Sequence, residues 1–320
     1  MQAPLINLWP MPIGAAVVVA AIIGIAAWQR RQRELRRERP PISRKLLRPP
    51  GHTLSVQLEA FNEKLLDMLG MTAVAGAIAV LLLTSLFPIF FNKGIHEWIA
   101  AKGLQNTLLT WPLLPALVGD ALFLVVSFCA AVWGIGRCLE LIKKIRVHHL
   151  GLRGEQAVAE ALTEAAGMGY RSFHDFPAGE NWNIDHVVVG PGGVFAIETK
   201  TKSKRKAPAG MKDHEVAYDG TTLQFPWGQN REFVEQARRN AKTLSTFLGK
   251  ATGTKVWVTA VLVLPGWYVV PTSNPLTHEV RVMPETALGK YLRGQPQSLS
   301  NQQIEQIAFQ VEQTCRDVDF

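Results

Sequence analysis

Cysteine is nearly absent. The chain has three in 320 residues, Cys129, Cys138 and Cys315. They form no CxxC pair, and no Cys/His spacing of a zinc site accompanies them. A disulfide framework and thiol catalysis are thereby excluded, and the single cysteine beyond residue 150 suits a reducing compartment. No Lys or Arg precedes Arg30, so the basic n-region of a cleaved signal peptide is missing and the first apolar run reads as a retained anchor. The second half also lacks net charge. Residues 151–320 hold 18 Lys/Arg and 18 Asp/Glu, whereas residues 1–150 hold 16 against 8. The formal charge of +8 therefore belongs to the first half and does not by itself argue for nucleic acid. Internal repeats and low-complexity tracts are absent too.

What the first half has is apolar length. Mean hydropathy is +0.08 with 48% hydrophobic residues, and the excess collects in three runs near 8–28, 71–91 and 113–133. Each approaches the ~20 residues that cross a bilayer, and too little polar sequence surrounds them to wrap three buried core helices. Basic residues follow the first run (QRRQRELRRER, then Arg44, Lys45 and Arg48) and the third (Arg137, Lys143, Lys144, Arg146). The second and third are separated by only Lys93 and Lys102. The positive-inside rule then predicts a multi-pass protein of a cytoplasmic, bacterial-type inner membrane. Its N-terminus lies outside, 92–112 outside, and everything after about 134 in the cytoplasm. The lipid bilayer is one expected partner, and the arginine cluster suits its anionic surface. LSVQLEAFNEKLLDMLG (54–70) carries an apolar helical stripe leading into the second run. Asp120, inside the third run, is an intramembrane acid or its flank.

The chain divides at about 150: a membrane region over 1–150 and an α/β domain over 151–320. The domain opens with a helix, GEQAVAEALTEAAG (154–167). A strand RSFHDF (171–176), a loop AGENWN (178–183) and a hairpin follow. EVAYDGTTLQF (215–225) reads as a second hairpin on a two-residue Asp219-Gly220 turn. REFVEQARRNAKTLSTFLG (231–249) is a helix ended by glycine, with the stripe Val234, Ala237, Ala241, Leu244, Leu248. KVWVTAVLVLP (255–265) is a buried strand, HEVRVM (278–283) a short one, and helices near 284–293 and 299–316 finish the chain.

The chemistry gathers in IDHVVVGPGGVFAIETK (184–200). Pro191-Gly192 forms the turn, with positive φ expected at Gly192. Val189 then pairs with Val194, and the same register sets Asp185 opposite Glu198, with Lys200 two residues on along the same face. Like charges held opposite one another in a sheet are unfavourable. Two carboxylates placed this way favour a hard divalent cation between them. His186 alternates to the other face and reads as packing. Glu155 precedes Val158 by three and Leu162 by seven, on the apolar face of its helix. KTKSKRK (200–206) carries five basic residues in seven, suited to backbone phosphates. No aromatic residue interleaves it; Trp182 and Trp227 are candidates to flank the site.

Gly154-Glu155 opening a helix, Asp185 in IDH, Glu198-Thr-Lys200 closing a strand, and Gln236 on the following helix together resemble the nuclease-related domain, NERD. That family falls within the PD-(D/E)xK restriction-endonuclease-like superfamily. The resemblance covers roughly 151–250, and the sequence departs from the pattern at Asn230-Arg231, where the family has Asn-Pro. It implies an α/β restriction-endonuclease-like fold with a mixed central sheet, and metal-dependent hydrolysis of phosphodiester bonds in DNA or, second, RNA. Asp185 and Glu198 would hold Mg²⁺ or Mn²⁺. Lys200 would orient water or stabilise charge on phosphate oxygens, with Glu155 and Gln236 assisting. Lys202, Lys204, Arg205 and Lys206 would contact substrate. The alternative is a non-catalytic nucleic-acid-binding or scaffolding module tethered to the membrane. A transporter is disfavoured, because at most one buried acid gives little for a substrate path.

Overall fold

The computed structural model describes residues 24, 45–91, 113–180 and 182–318. The first expected span, 8–28, lies almost wholly outside the described residues, as do the charges at 30–44 and 92–112. The other two runs fall on helices longer than expected: α1, His52–Phe91, and α2, Leu113–Ala166. The stripe at 54–70 and the run at 71–91 are therefore one uninterrupted helix. Asp120 lies on α2. Two stretches, His52–Leu83 and Ala121–Ala166, are long and apolar enough to cross a membrane, and only 6% and 17% of their most apolar windows is buried. Long apolar helices with so little of their surface buried suggest membrane association.

Two compact units divide the chain. One spans 1–39 and 60–145, the other 40–59 and 146–320. In the first, Met68, Cys138 and Leu141 form a small apolar cluster joined by Phe61 and Leu65. The second unit takes up the chain again at Arg146, inside α2. It also takes in the segment before and at the start of α1.

The second unit is built on a mixed sheet. Its strands are β2 (Arg171–Gly179), β3 (Trp182–Gly190), β4 (Gly193–Thr199), β8 (Val258–Val263) and β10 (Val280–Met283). They lie in the order β10-β8-β4-β3-β2. β4, β8 and β10 are parallel, and β3 is antiparallel to both β4 and β2. The mixed central sheet is as expected. Helices cover both faces, because the strands alternate apolar residues to each side. Val187, Val189, Val194, Ala196 and Leu262 pack against α3 (Glu232–Thr252) and α5 (Asn301–Cys315). Val188, Phe195, Ile197, Val261 and Val263 pack against the end of α2 and α4 (Glu285–Arg293). The predicted stripe of α3 is buried residue for residue, but the helix runs past Gly249 and stops at Gly253, whose φ of 72° supplies the left-handed cap.

A second, four-stranded sheet has the order β7-β6-β5-β9, formed by Gly228–Asn230, Leu223–Phe225, Glu215–Tyr218 and Tyr268–Pro271 respectively. Only its β5–β6 hairpin was legible, and its loop is longer than the expected two residues. Tyr218 pairs with Leu223, so residues 219–222 make the turn. The Asp219 carboxylate closes it by accepting the N–H groups of Thr221 and Thr222. Finally, β1 (Leu46–Leu47) pairs with β11 (Arg316–Val318), which ties the segment before α1 to the end of the chain.

Candidate active site

The β3–β4 hairpin has the predicted register. Pairs run from Gly190↔Gly193 through Val189↔Val194 to His186↔Ile197. The turn differs in one respect: positive φ falls on Gly193, at 124°, and not on Gly192. Regular pairing ends at His186↔Ile197. Beyond it the Thr199 N–H donates to Asp185 Oδ2 at 2.6 Å. Asp185 continues the row of Val187 and Val189, and Glu198 the row of Val194 and Ala196. Both therefore point to the α3 side.

Both carboxylates are buried, with Asp185 8% and Glu198 1% exposed. Lys200 Nζ lies 2.6 Å from Glu198 Oε1, and Asn240 Nδ2 on α3 donates to Glu198 Oε2 at 2.5 Å. Burial, then the charges of Glu198 and Glu155, push the Asp185 carboxyl well above its ordinary range. Burial also raises Glu198, against the pull of Lys200 and Asn240. Lys200 loses some basicity to burial, but the facing carboxylates leave it above its usual value.

Glu155 comes in on α2, and Gly154 allows the approach. A Cβ there would sit 2.0 Å from Thr201 Cγ2, so only glycine lets the helix rest on the end of β4. Glu155 is 6% exposed. Its pKa rises to about 8 through burial, then the charges of Asp175 and Glu198; Lys200 and the Gly51 N–H pull it back. The side chain of Gln236, half-buried on α3, makes no hydrogen bond among the described residues. The amide α3 presents to the carboxylates is Asn240, one turn later. The signal was available: Asn240 follows Ala237 by three and precedes Leu244 by four, which places a polar residue on the apolar stripe. Asn240→Ala strips Glu198 of its buried donor and is expected to lower stability by about 1–3 kcal/mol. The denaturation midpoint reads this directly.

The basic tract does have aromatic partners, drawn from distant sequence. Lys202 Nζ lies 4.1 Å from the Phe225 ring centroid, and Lys204 Nζ 5.8 Å from that of Trp267. Phe225, Trp227 and Trp267 pack edge to face, and Trp267 Nε1 donates to the Lys202 carbonyl at 3.2 Å. The second sheet thus pins the tract. Lys204, Arg205 and Lys206 remain exposed. Trp227 belongs to this cluster. Trp182 packs over Gly179, whose added Cβ would meet its ring at 2.2 Å. His186 is buried, its Nδ1 2.8 Å from His174 Nδ1, as a packing role requires.

Three mutually repelling carboxylates, Asp185, Glu198 and Glu155, thus share one lysine. Glu155 Oε2, Asn240 Oδ1 and Thr199 Oγ1 are buried without a hydrogen-bond partner. Surplus buried negative charge and orphaned oxygens fit a hard divalent cation. Among the described residues no three His, Cys, Asp or Glu side chains are grouped to hold a metal ion. A carboxylate pair alone would suit an ion that keeps several waters.

With this geometry established, comparison places the domain. Residues 150–265 match the sequence model of the nuclease-related domain, NERD. The match runs from the last turns of α2 through β8 and takes in the β3–β4 hairpin. No curated protein and no solved structure matches the chain.

Proposed function

We propose that the domain hydrolyses phosphodiester bonds of nucleic acid, DNA ahead of RNA. Asp185 and Glu198 would hold Mg²⁺ or Mn²⁺, and Lys200 would serve the phosphate. The observation that carries this reading is the buried Asp185–Glu198 pair closed by Lys200 at 2.6 Å. The ion would acidify a water and polarise the phosphate. The chain's own part is positional. Asn240 and Lys200 fix the two oxygens of Glu198, and the Thr199 N–H orients Asp185. Lys200, still a quarter exposed, is the one of these groups free to swing from Glu198 to a phosphate oxygen or its attacking water. Glu155, with a pKa raised to about 8, is placed to take or return a proton. Lys204, Arg205 and Lys206 lead the substrate strand in, and Gln236 joins it along α3.

The bare apolar faces of α1 and α2 support anchoring in a lipid bilayer. The basic residues after each outer run support an outside N-terminus and a cytoplasmic domain.

The test is cleavage of plasmid, linear DNA and RNA by the full chain in detergent, with Mg²⁺, Mn²⁺ or EDTA, wild type beside Lys200→Ala. Metal-dependent cutting by wild type, lowered at least about a hundredfold in Lys200→Ala, is the expected result. Nucleic-acid binding with neither cutting nor metal-induced stabilisation would replace this reading with the non-catalytic module.

A further inference from the structure

The family match begins at residue 150, yet the acid site is also held from far upstream. Arg48 sits between β1 and α1. Its Nε and Nη2 grip both oxygens of Asp317 at 2.7 and 2.5 Å. Its Nη1 donates to the backbone carbonyl of Asp175 at 2.9 Å and to Asp175 Oδ2 at 3.0 Å. At the start of α1, Thr53 gives Asp175 Oδ2 two more bonds, from its N–H at 3.2 Å and its hydroxyl at 2.7 Å. Asn183 Nδ2 binds the other oxygen. Asp175 is wholly buried. It is also the one non-glycine among the described residues with positive φ, 54°. A backbone held in that region persists only where its surroundings over-determine it, and here the surroundings include Arg48 on the carbonyl itself.

Gly51 meets Glu155 from the same segment. Its φ is 71°, and an added Cβ would lie 2.3 Å from Leu152 Cδ1 and 3.5 Å from Glu155 Oε2. Backbone is therefore pressed against the turn of α2 that carries the acid. The strap lies outside the matched range of 150–265. The bonds of Arg48 and Thr53 converge on Asp175, the acid whose charge acts most strongly on Glu155.

We propose that the strap Leu46–Thr53 is a working part of the site: Arg48, acting through Asp175, and the Gly51–Thr53 turn hold Glu155 in position. This deepens the nuclease reading and rests on it for its catalytic consequence. Arg48 is a positioning residue, since it touches no reacting group. The start of α1 is thereby linked to the acid cluster, so a displacement of that helix end would reach Glu155.

The experiment uses the full chain in detergent, as Arg48→Ala and as Thr53→Val, which removes only one hydroxyl bond and carries the test should Arg48→Ala fail to fold. The first readout is hydrogen exchange in EDTA, which does not depend on cleavage. Faster exchange confined to the amides around Glu155 and Asp175, with β8 and β10 unchanged, is expected. The second readout is kinetic. Turnover should fall roughly ten- to hundredfold at unchanged KM, and methylguanidinium, well below denaturing concentration, should restore part of it to Arg48→Ala but none to Thr53→Val. Unchanged exchange at Glu155, or exchange raised evenly through the domain, overturns the proposal. A wild type that cuts nothing while the local exchange change appears removes the nuclease reading and leaves the strap standing.

Discussion

Asp185→Asn is expected to make the metal-free protein more stable while making it inert. In EDTA at pH 8 the site holds three buried carboxylates and one lysine, and Asp185 is raised well above its ordinary range by burial and by Glu198 and Glu155. A group in that state opposes folding when it must ionise. Asparagine keeps an oxygen for the Thr199 N–H, which now accounts for the bond at 2.6 Å, and removes the charge. Relief of surplus buried charge is worth roughly 1–4 kcal/mol, or about 2–16 °C in melting temperature for a domain of this size. Magnesium should raise the melting temperature of wild type and leave that of Asp185→Asn unmoved. Cleavage should fall by about three orders of magnitude, since a metal's charge stabilisation is worth several kcal/mol. Thermal melts of both proteins, with and without Mg²⁺, decide the matter. A lower melting temperature for Asp185→Asn in EDTA would mean that the carboxylate supports the hairpin and is not strained by its neighbours.

The parts of this site that were legible are the local ones. Pro191-Gly192 between two valine-rich runs sets a register that any one-residue slip would turn inside out, so the placement of Asp185 and Glu198 followed from the turn alone. The stripe of α3 was legible for the same reason: apolar period matched helix period. The boundaries failed where a local signal was ambiguous. Gly249 could end a helix, but Gly253 does, because Leu248 is still core and the helix continues past it. Asp219-Gly220 could be a two-residue turn, but Asp219 captures two N–H groups beyond it and widens the loop. The strap was out of reach altogether. Arg48 meets Asp175 and Asp317 across separations of 127 and 269 residues, and in the sequence Arg48 is one more basic residue after an apolar run. The aromatic partners of the basic tract were hidden likewise, since Phe225, Trp227 and Trp267 reach it only through the second sheet.

The pH dependence of stability gives a second large effect, with a sign that depends on the metal. Glu155 moves from 4.5 to about 8 on folding. Between those values the native state binds the proton and the unfolded state does not, so metal-free stability falls as pH rises. Holding this carboxyl ionised costs on the order of 5 kcal/mol, and Asp185, raised by burial and by Glu198 and Glu155, adds in the same direction. The buried imidazoles oppose them at lower pH. His174 drops from 6.5 to about 4 and His186 also falls well below 6.5, both chiefly through burial. Below 6.5 the unfolded chain takes up protons that the native pair refuses, so their contribution to stability is lost as pH falls. The two trends cancel in part between about 4.5 and 6.5 and leave the carboxylates alone above it. Melting temperature in EDTA is therefore expected to be highest near pH 5 and to decline steadily to pH 8.5. Glu155→Gln should flatten that decline. Mg²⁺ at saturating concentration should reverse it, because ionised carboxylates are what the cation binds. A decline of equal slope in Glu155→Gln, or one that Mg²⁺ leaves unchanged, would show that the acid cluster does not govern the alkaline limb and that the divalent ion does not reside among these carboxylates.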